Sequence, residues 1–255
     1  MQSPQFLLSN YINKHKSNLD DFKEDLYKSG VLVKDYEEDN LILIYNKFGQ
    51  AKTTIEEECR SVVLDRTSLD IVSFTCNTPL CNKEAINFIM ENNNPNKIIT
   101  ECYEGTLLSV FNHNDKWFVS TRRCLNSDNS IWQDNKSHYQ LFVEVLKDQG
   151  YNSIDEFTNN LLNDYCYYFV LLHHRNKNVV DYTDVFGQEY KKLSLVIVRE
   201  KKTQKEMDLW SDIEKVFKDN FIKRITISKS SLPEMQRVTS FDRLPHVSNH
   251  FGCTL

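Results

Sequence analysis

Apolar side chains recur at helical spacing over the first thirty residues. They are Phe6, Leu7, Tyr11, Ile12, Leu19, Phe22 and Leu26. Positions three or four apart lie on one face of a helix, so the pattern predicts one or two amphipathic helices. Gly30 follows the last of these positions and is predicted to end the helical segment, because glycine readily adopts the left-handed conformation.

From residue 41 onward the pattern changes to short runs rich in β-branched and aromatic residues, which are typical of strands. Strands are predicted at 41–45, 60–65, 70–74, 97–102, 107–111, 117–121, 167–172, 178–182, 193–199 and 222–227. Helices are predicted at 83–91, 137–147, 154–163 and 207–217. In the last of these, Trp210, Ile213, Val216 and Phe217 share one face.

This order of helical segment, strands, helices and further strands predicts an α+β fold with mainly antiparallel sheets and flanking helices. It lacks the regular alternation of strand and helix that builds a doubly wound sheet. No internal repeat or low-complexity linker divides the chain. We therefore expect an N-terminal helical cap at residues 1–39 and one larger domain at residues 40–255.

Composition narrows the class of protein. The chain of 255 residues carries a formal net charge of -5, so RNA would need a local basic stripe to bind. No apolar run approaches the roughly 20 residues of a membrane helix, and no secretory signal begins the chain. The seven cysteines show no CxxC spacing, which favours reduced thiols in a cytoplasmic protein over a zinc site. Abundant Asn, Lys, Ile and Tyr are typical of AT-rich coding, as in some viruses and protists.

One short turn carries candidate chemistry. Residues 101–106 read Glu-Cys-Tyr-Glu-Gly-Thr and lie between two predicted strands. Covalent nucleotidyltransferases attack the α-phosphate of ATP or GTP with a lysine beside a turn written Lys-x-Asp/Glu-Gly-Ser/Thr. Glu104, Gly105 and Thr106 match this turn, but Cys102 stands where the lysine belongs. An ordinary hairpin turn is the alternative interpretation of so short a match.

Two stretches upstream of this turn resemble motifs of the phage-type RNA ligases, in the T4 RNA ligase 1-like branch of covalent nucleotidyltransferases. Residues 58–65 resemble the strand whose arginine reaches the ATP phosphates, a role that would fall to Arg60. Residues 77–83 resemble a proline-containing entry into a helix, where a lysine serves the nucleotide. Lys83 is the approximate match.

Two stretches downstream extend the resemblance, which covers roughly residues 40–205. Residues 116–123 resemble the strand after the lysine motif, where Arg122 or Arg123 would contact phosphate. Residues 168–182 resemble the family's strand pair written Phe-Glu-x-x-x-Pro-x-Asn-Arg-Ile-Val-x-x-Tyr. The resemblance implies a ligase adenylation domain fold with a nucleotide-binding set of Arg60, Lys83, Glu104, Gly105, Thr106, Arg122 and Arg123.

The departures from the family fall on its catalytic groups. Besides Cys102, Val170 stands where the family has a glutamate, and Phe251 where a later motif has an acid. The sequence stops at Leu255, before a terminal Lys-x-Lys strand. A Cys102 thiolate could attack phosphorus only with a lowered pKa, so an inert thiol is the favoured interpretation.

These losses predict a degenerate member of the family that has lost covalent adenylation and binds nucleotide, RNA or a protein partner. An active ligase or capping-type enzyme, completed by a partner segment, is one alternative. A structural subunit whose cleft is filled by side chains is another. ATP and Mg²⁺ are the cofactors that the resemblance implies, but no metal ligands are predicted. His173 and His174 are interpreted as a solvated pair, because adjacent strand residues point to opposite faces.

Overall fold

The computed structural model describes residues 6–16, 18–47, 51–92, 103–132, 135–176, 179–209, 211–218 and 226–227. The α-helices are α1 Leu8–His15, α2 Leu19–Lys28, α3 Thr54–Glu58, α4 Asn82–Glu91, α5 His138–Asp148, α6 Ile154–Thr158 and α7 Thr183–Phe186. The strands are β1 Val31–Tyr36, β2 Leu41–Asn46, β3 Val62–Asp65, β4 Ile71–Phe74, β5 Thr106–His113, β6 Lys116–Thr121, β7 Tyr165–His173, β8 Lys191–Glu200 and β9 Thr226–Ile227.

The strands form two sheets. The first has the order β1-β2-β3-β4, and its neighbouring strands run antiparallel. The second has the order β6-β5-β7-β8-β9, in which β8 and β9 run parallel and the other neighbours antiparallel. The prediction of an α+β fold with mainly antiparallel sheets and flanking helices is therefore confirmed.

The two sheets pack face to face, and β2 shows how the sequence pattern produces this arrangement. Successive strand residues point to opposite faces of a sheet. Leu41 and Leu43 pack in the cluster that contains Phe111 and Tyr168 of the second sheet. Ile42, between them, packs instead with the N-terminal helices. All six residues of β2 are buried, because both faces of this strand are covered.

Helices cover the outer face of each sheet. Phe22 and Leu26 of α2 pack against the first sheet, and Leu141 and Phe142 of α5 pack against the second. The molecule thus has four layers in the order helix, sheet, sheet, helix.

Capping residues in the local sequence fix where these helices begin. Asn18 caps α2, and Ser137 forms a reciprocal capping box with Gln140 at the start of α5.

The N-terminal segment differs from the predicted helical cap. The helices α1 and α2 are present, and Gly30 follows α2 with a φ of 83°, as predicted. Strand β1 was not predicted, because its polar residues Lys34 and Asp35 interrupt the apolar run. It pairs with β2 from Val31 opposite Asn46 to Tyr36 opposite Leu41, across the predicted boundary between residues 39 and 40.

Two predicted elements are wrong, and a third is too long. Of the helix at 207–217, the described residues form only a 3₁₀ turn at Ile213–Lys215. The segment begins as an extension of the sheet, because the Met207 N–H donates to the Val198 carbonyl of β8. Residues 179–182 are not a strand but lead into α7. The helix predicted at 154–163 ends at Thr158.

Other predictions fall partly or wholly outside the described residues. These are the strand at 97–102, residues 222–225 of the last predicted strand, and Trp210. Within the part of the chain that the structure describes, no helix has both the length and the apolar character needed to cross a bilayer.

Candidate functional site

The Glu-Gly-Thr turn enters β5 directly beside β7. Thr106 is paired with Leu171, so Gly105 lies against the backbone of the neighbouring strand. A Cβ atom on Gly105 would stand 2.6 Å from the Leu171 carbonyl oxygen and 2.6 Å from Cγ1 of Val170. Both distances are far below van der Waals contact. The sequence motif requires glycine here because the two strands approach too closely for any side chain.

The polar groups of this turn bind residues of the segment that follows β7. The Glu104 N–H donates to the Tyr182 hydroxyl at 2.6 Å, and the Glu104 carboxylate accepts from the N–H groups of Val179 at 3.3 Å and Val180 at 2.7 Å. Thr106 Oγ1 accepts from the Asn176 amide at 2.8 Å. The turn and the stretch 168–182, which resemble separate motifs of one family, are therefore in contact. Cys102 lies outside the described residues.

An apolar and aromatic cluster surrounds Val170, the position where the RNA ligases that the sequence resembles have a glutamate. Val170 is buried together with Leu172, Tyr182 and Tyr190. Tyr103 packs edge-on against Tyr182 with ring centroids 5.8 Å apart. A charged group placed among these side chains would lose hydration. Val170 itself therefore supplies no ligand for a metal ion or a phosphate group.

Three arginines lie near one another beside the start of β3 and the end of β6. This arginine cluster consists of Arg60 before β3 and Arg122 and Arg123 after β6. Arg122 donates to the backbone oxygen of Asn46 at 3.0 Å and also to the Asn46 side chain. Arg60 donates to Cys76 Sγ at 3.3 Å. Burial, and then the positive charges of Arg123 and Arg60, lower the pKa of Arg122 to about 10.

The arginine cluster is suited to holding an anion. A half-buried guanidinium beside two others is repelled by them, and a bound phosphate would replace that repulsion with charge-assisted hydrogen bonds. Guanidinium groups also match the geometry of phosphate oxygens. The structure thus brings together three of the predicted site residues.

Lys83 stands apart from this group. It is exposed in the first turn of α4, and no hydrogen bond or ion pair joins it to the arginines in the described part of the chain. Glu104, Gly105 and Thr106 belong to the turn at β7. The predicted site residues therefore fall into two groups, with Lys83 outside both.

Three residues of these groups were missed by the sequence analysis. Asn46 binds Arg122 from the end of β2, and Asn176 and Tyr182 bind the Glu-Gly-Thr turn. Asn46 could have been suspected, since a polar residue that ends a fully apolar strand often faces a specific partner. The pairing itself spans 76 residues of sequence and leaves no local signal.

The interpretation of His173 and His174 as a solvated pair is wrong, because the His173 side chain is 0% exposed. Its Nδ1 accepts from the Arg175 N–H, so the ring proton lies on Nε2 and is donated to Glu144 at 3.1 Å. Burial and the neighbouring His174 lower the pKa of His173 to about 4. Among the described residues, no group of three or more His, Cys, Asp and Glu side chains is arranged to hold a metal ion.

The buried His173 predicts a loss of stability in mild acid. Its folded pKa of about 4 lies below the unfolded value of about 6.5, so the unfolded state takes up the proton first. The contribution of neutral His173 to the free energy of unfolding is fully present above pH 6.5 and is lost as the pH falls toward 4. Between pH 7 and pH 5 the wild type should lose about 2 kcal/mol more than His173→Gln, which keeps the donor to Glu144 but does not titrate. Urea unfolding at both pH values measures this difference, and equal losses would contradict it.

Comparison with known proteins finds short matches only. No protein-family model matches the chain. An immediate-early protein ICP-46 homolog of Invertebrate iridescent virus 3 is 40% identical over 70 residues, which are 28% of this chain and 15% of that protein. The homolog of Invertebrate iridescent virus 6 is 30% identical over 100 residues, which are 37% of this chain and 22% of that protein. The chain thus matches less than a quarter of either relative.

Proposed function

We propose that this chain is an RNA-ligase-like nucleotidyltransferase domain that has lost covalent adenylation and binds the phosphate groups of a nucleotide. The arginine cluster carries this proposal. Burial, and then the like charges of Arg123 and Arg60, lower the pKa of the half-buried Arg122 to about 10, and a phosphate group would compensate those charges. Arg60 and Arg122 are the principal ligands, and ATP or GTP, with or without Mg²⁺, is the nucleotide.

The loss of catalysis is supported by the surroundings of the Glu-Gly-Thr turn. The family lysine is replaced by Cys102, and the family glutamate by Val170, which is packed in an apolar cluster. The Glu104 carboxylate is engaged by two backbone N–H groups of the following segment. These bonds hold the turn to its neighbours, and the apolar cluster around Val170 offers no carboxylate of its own to a metal ion or a ribose.

A viral origin and a cytoplasmic location are part of the proposal. The viral origin is supported by the two iridescent virus relatives and by the AT-rich residue usage, and the cytoplasmic location by seven cysteines without CxxC spacing. The name of these relatives says that they are immediate-early proteins, and a role early in infection is accordingly proposed for this chain.

The test combines adduct formation with nucleotide binding. The chain is incubated with labelled ATP or GTP and Mg²⁺, and we expect no covalent adduct on a denaturing gel. Titration calorimetry is expected to show saturable binding that Arg60→Ala weakens by about 10-fold or more, since a charge-assisted hydrogen bond contributes about 1.5–3 kcal/mol. The matched control is Arg66→Ala at the other end of β3, where the guanidinium pairs with Asp35 and Glu37.

The other outcomes identify the alternatives. An adduct that disappears in Cys102→Ala would overturn the loss of catalysis and indicate an active ligase or capping-type enzyme. Absence of both adduct and binding would indicate a structural subunit. Equal losses of affinity in Arg60→Ala and Arg66→Ala would show that overall charge, and not the arginine cluster, attracts the nucleotide.

A further inference from the structure

The buried His173 at the end of β7 holds the turn that follows this strand. Its Nδ1 accepts from the Arg175 N–H at 3.1 Å, and its carbonyl oxygen accepts from the Asn176 N–H at 2.8 Å. One residue thus satisfies two consecutive N–H groups, the first with its side chain and the second with its backbone. We call residues 173–176 the histidine turn.

The histidine turn is attached to the Glu-Gly-Thr turn. Asn176 is 1% exposed, and its side-chain amide donates to Thr106 Oγ1 at 2.8 Å. Thr106 begins β5, directly opposite Leu171 of β7. The position of the Asn176 side chain depends on the backbone bonds within the histidine turn. A change at His173 is therefore transmitted to the Glu-Gly-Thr turn.

Only the neutral form of His173 fits this arrangement. The ring donates its Nε2 proton to Glu144 of α5 at 3.1 Å, and Nδ1 is left as the acceptor for Arg175. Protonation would place a second donor on Nδ1, facing the Arg175 N–H. Two donors cannot form a hydrogen bond with each other, so the protonated ring must lose this contact. It would also carry a charge in a site where the side chain is 0% exposed.

The charged groups around the His173 ring differ in sign. On the side of α5, Glu144 faces the ring and is itself paired with Lys136. On β8, Lys191 lies directly opposite His173, and the ring of His174 is 4.6 Å away between centroids. Burial is the largest cause that lowers the pKa of His173 to about 4. His174 and Lys191 lower the pKa further, and Glu144 opposes them.

Two more charged side chains belong to the segments beside His173. Glu104 precedes β5, and its carboxylate accepts from the N–H groups of Val179 and Val180. Arg175 is a half-buried cation of the histidine turn itself, so it does not favour a further positive charge there. Glu144 is the carboxylate that the His173 ring contacts.

We propose that His173 is an acid-sensitive switch, whose protonation opens the histidine turn and releases the Glu-Gly-Thr turn from Asn176 while both sheets stay folded. The opened turn accommodates the charged ring, because the imidazolium gains water and no longer faces the Arg175 N–H. The switch requires no nucleotide, so it is independent of the proposed function.

The size of the effect follows from the two states of the turn. With the turn open, His173 takes up a proton near the ordinary histidine pKa of about 6.5, whereas in the closed turn its pKa is about 4. The open fraction therefore rises as the pH falls below 6.5 and stops rising below 4. Between pH 7.5 and pH 5 it should increase about 25-fold.

Amide hydrogen exchange followed by NMR at pH 7.5, 6 and 5 tests the switch, with each rate divided by that of an unstructured peptide. In the wild type, protection of the Arg175 and Asn176 amides should fall about 25-fold between pH 7.5 and pH 5. The side-chain amide of Asn176 should lose protection in parallel. The amides of β2, which is buried throughout, report global unfolding and should stay more protected.

The test variant is His173→Gln. The matched control is His138→Gln, because His138 is a buried histidine at the start of α5 that binds Ser130. Protection at Arg175 and Asn176 should be independent of pH in the test variant and should fall as in the wild type in the control.

Three results would overturn the switch. They are constant protection of the histidine turn in the wild type, the same fall in His173→Gln as in the wild type, and exchange of the turn no faster than that of β2. If His173→Gln does not fold, the wild-type curve decides, because the fall must begin near pH 6.5 and be confined to the histidine turn and its contact with Thr106.

Discussion

Gly105→Ala is expected to lower the free energy of unfolding by about 2–3 kcal/mol. The added methyl group would meet the Leu171 carbonyl oxygen and Val170 Cγ1, each at 2.6 Å, and Leu172 Cδ2 at 2.9 Å. The carbonyl oxygen belongs to the ladder between β5 and β7, so it cannot move aside without breaking strand pairing. Chemical denaturation monitored by circular dichroism measures the change.

Two comparison variants isolate the collision at Gly105. Gly105→Ala/Val170→Ala removes one of the colliding groups and should recover only part of the loss, because the Leu171 carbonyl remains. Gly150 has a φ of 88°, and a Cβ atom there would meet no other atom within 4 Å. Gly150→Ala should therefore lose only about 1–2 kcal/mol through backbone strain. A Gly105→Ala protein as stable as the wild type would show that β5 and β7 are farther apart than these distances indicate.

Glu58→Ala is expected to destabilise the protein by about 2–3 kcal/mol. The buried Glu58 carboxylate accepts from the N–H groups of Leu7 and Leu8, each at 2.7 Å. Leu7 itself offers no side-chain cap for α1, so a residue 50 positions away satisfies the start of this helix. Truncation would leave two donors without their acceptor, and the one of Leu8 belongs to a fully buried residue. Urea unfolding at pH 7 measures the loss.

The neighbouring Glu57→Ala serves as the matched control, because Glu57 is only half-buried and its side chain makes none of these bonds. Glu58→Gln keeps one acceptor oxygen and should fall between Glu58→Ala and the wild type. If Glu57→Ala and Glu58→Ala were equally destabilised, the effect would come from α3 and not from the cap. A clear loss in Glu58→Ala would also show that α1 contributes to the stability of the first sheet.

The link between Glu58 and α1 bears on the organisation of the chain. Residues 1–39 were expected to form an N-terminal helical cap, and α1 and α2 share one hydrophobic core with β2, β3 and β4. Strand β1 also pairs with β2 across the expected boundary. The helices are the outer layer of the first sheet, and their burial depends on residues far along the sequence.

Local sequence determined the elements whose apolar pattern matches the faces that are covered. The continuous apolar run of β2 and the helical spacing of α2 predicted these elements correctly, because β2 is covered on both faces and α2 on one. The sequence also singled out Gly105, since a Glu-Gly-Thr turn between strands is where close backbone approach is expected. Where burial is irregular, as in residues 207–217, the apolar spacing of the sequence predicted a helix that did not form.

Only the tertiary structure decided how the candidate site residues are grouped. The sequence placed seven residues in one nucleotide site. The fold brings Arg60 and Arg123 close to Arg122, which is held by Asn46, and it ties Glu104 and Thr106 to the segment after β7. These contacts join residues about 60 to 76 positions apart. The spacing of apolar positions predicts which face of a helix or strand is buried. It does not predict which distant helix or strand covers that face.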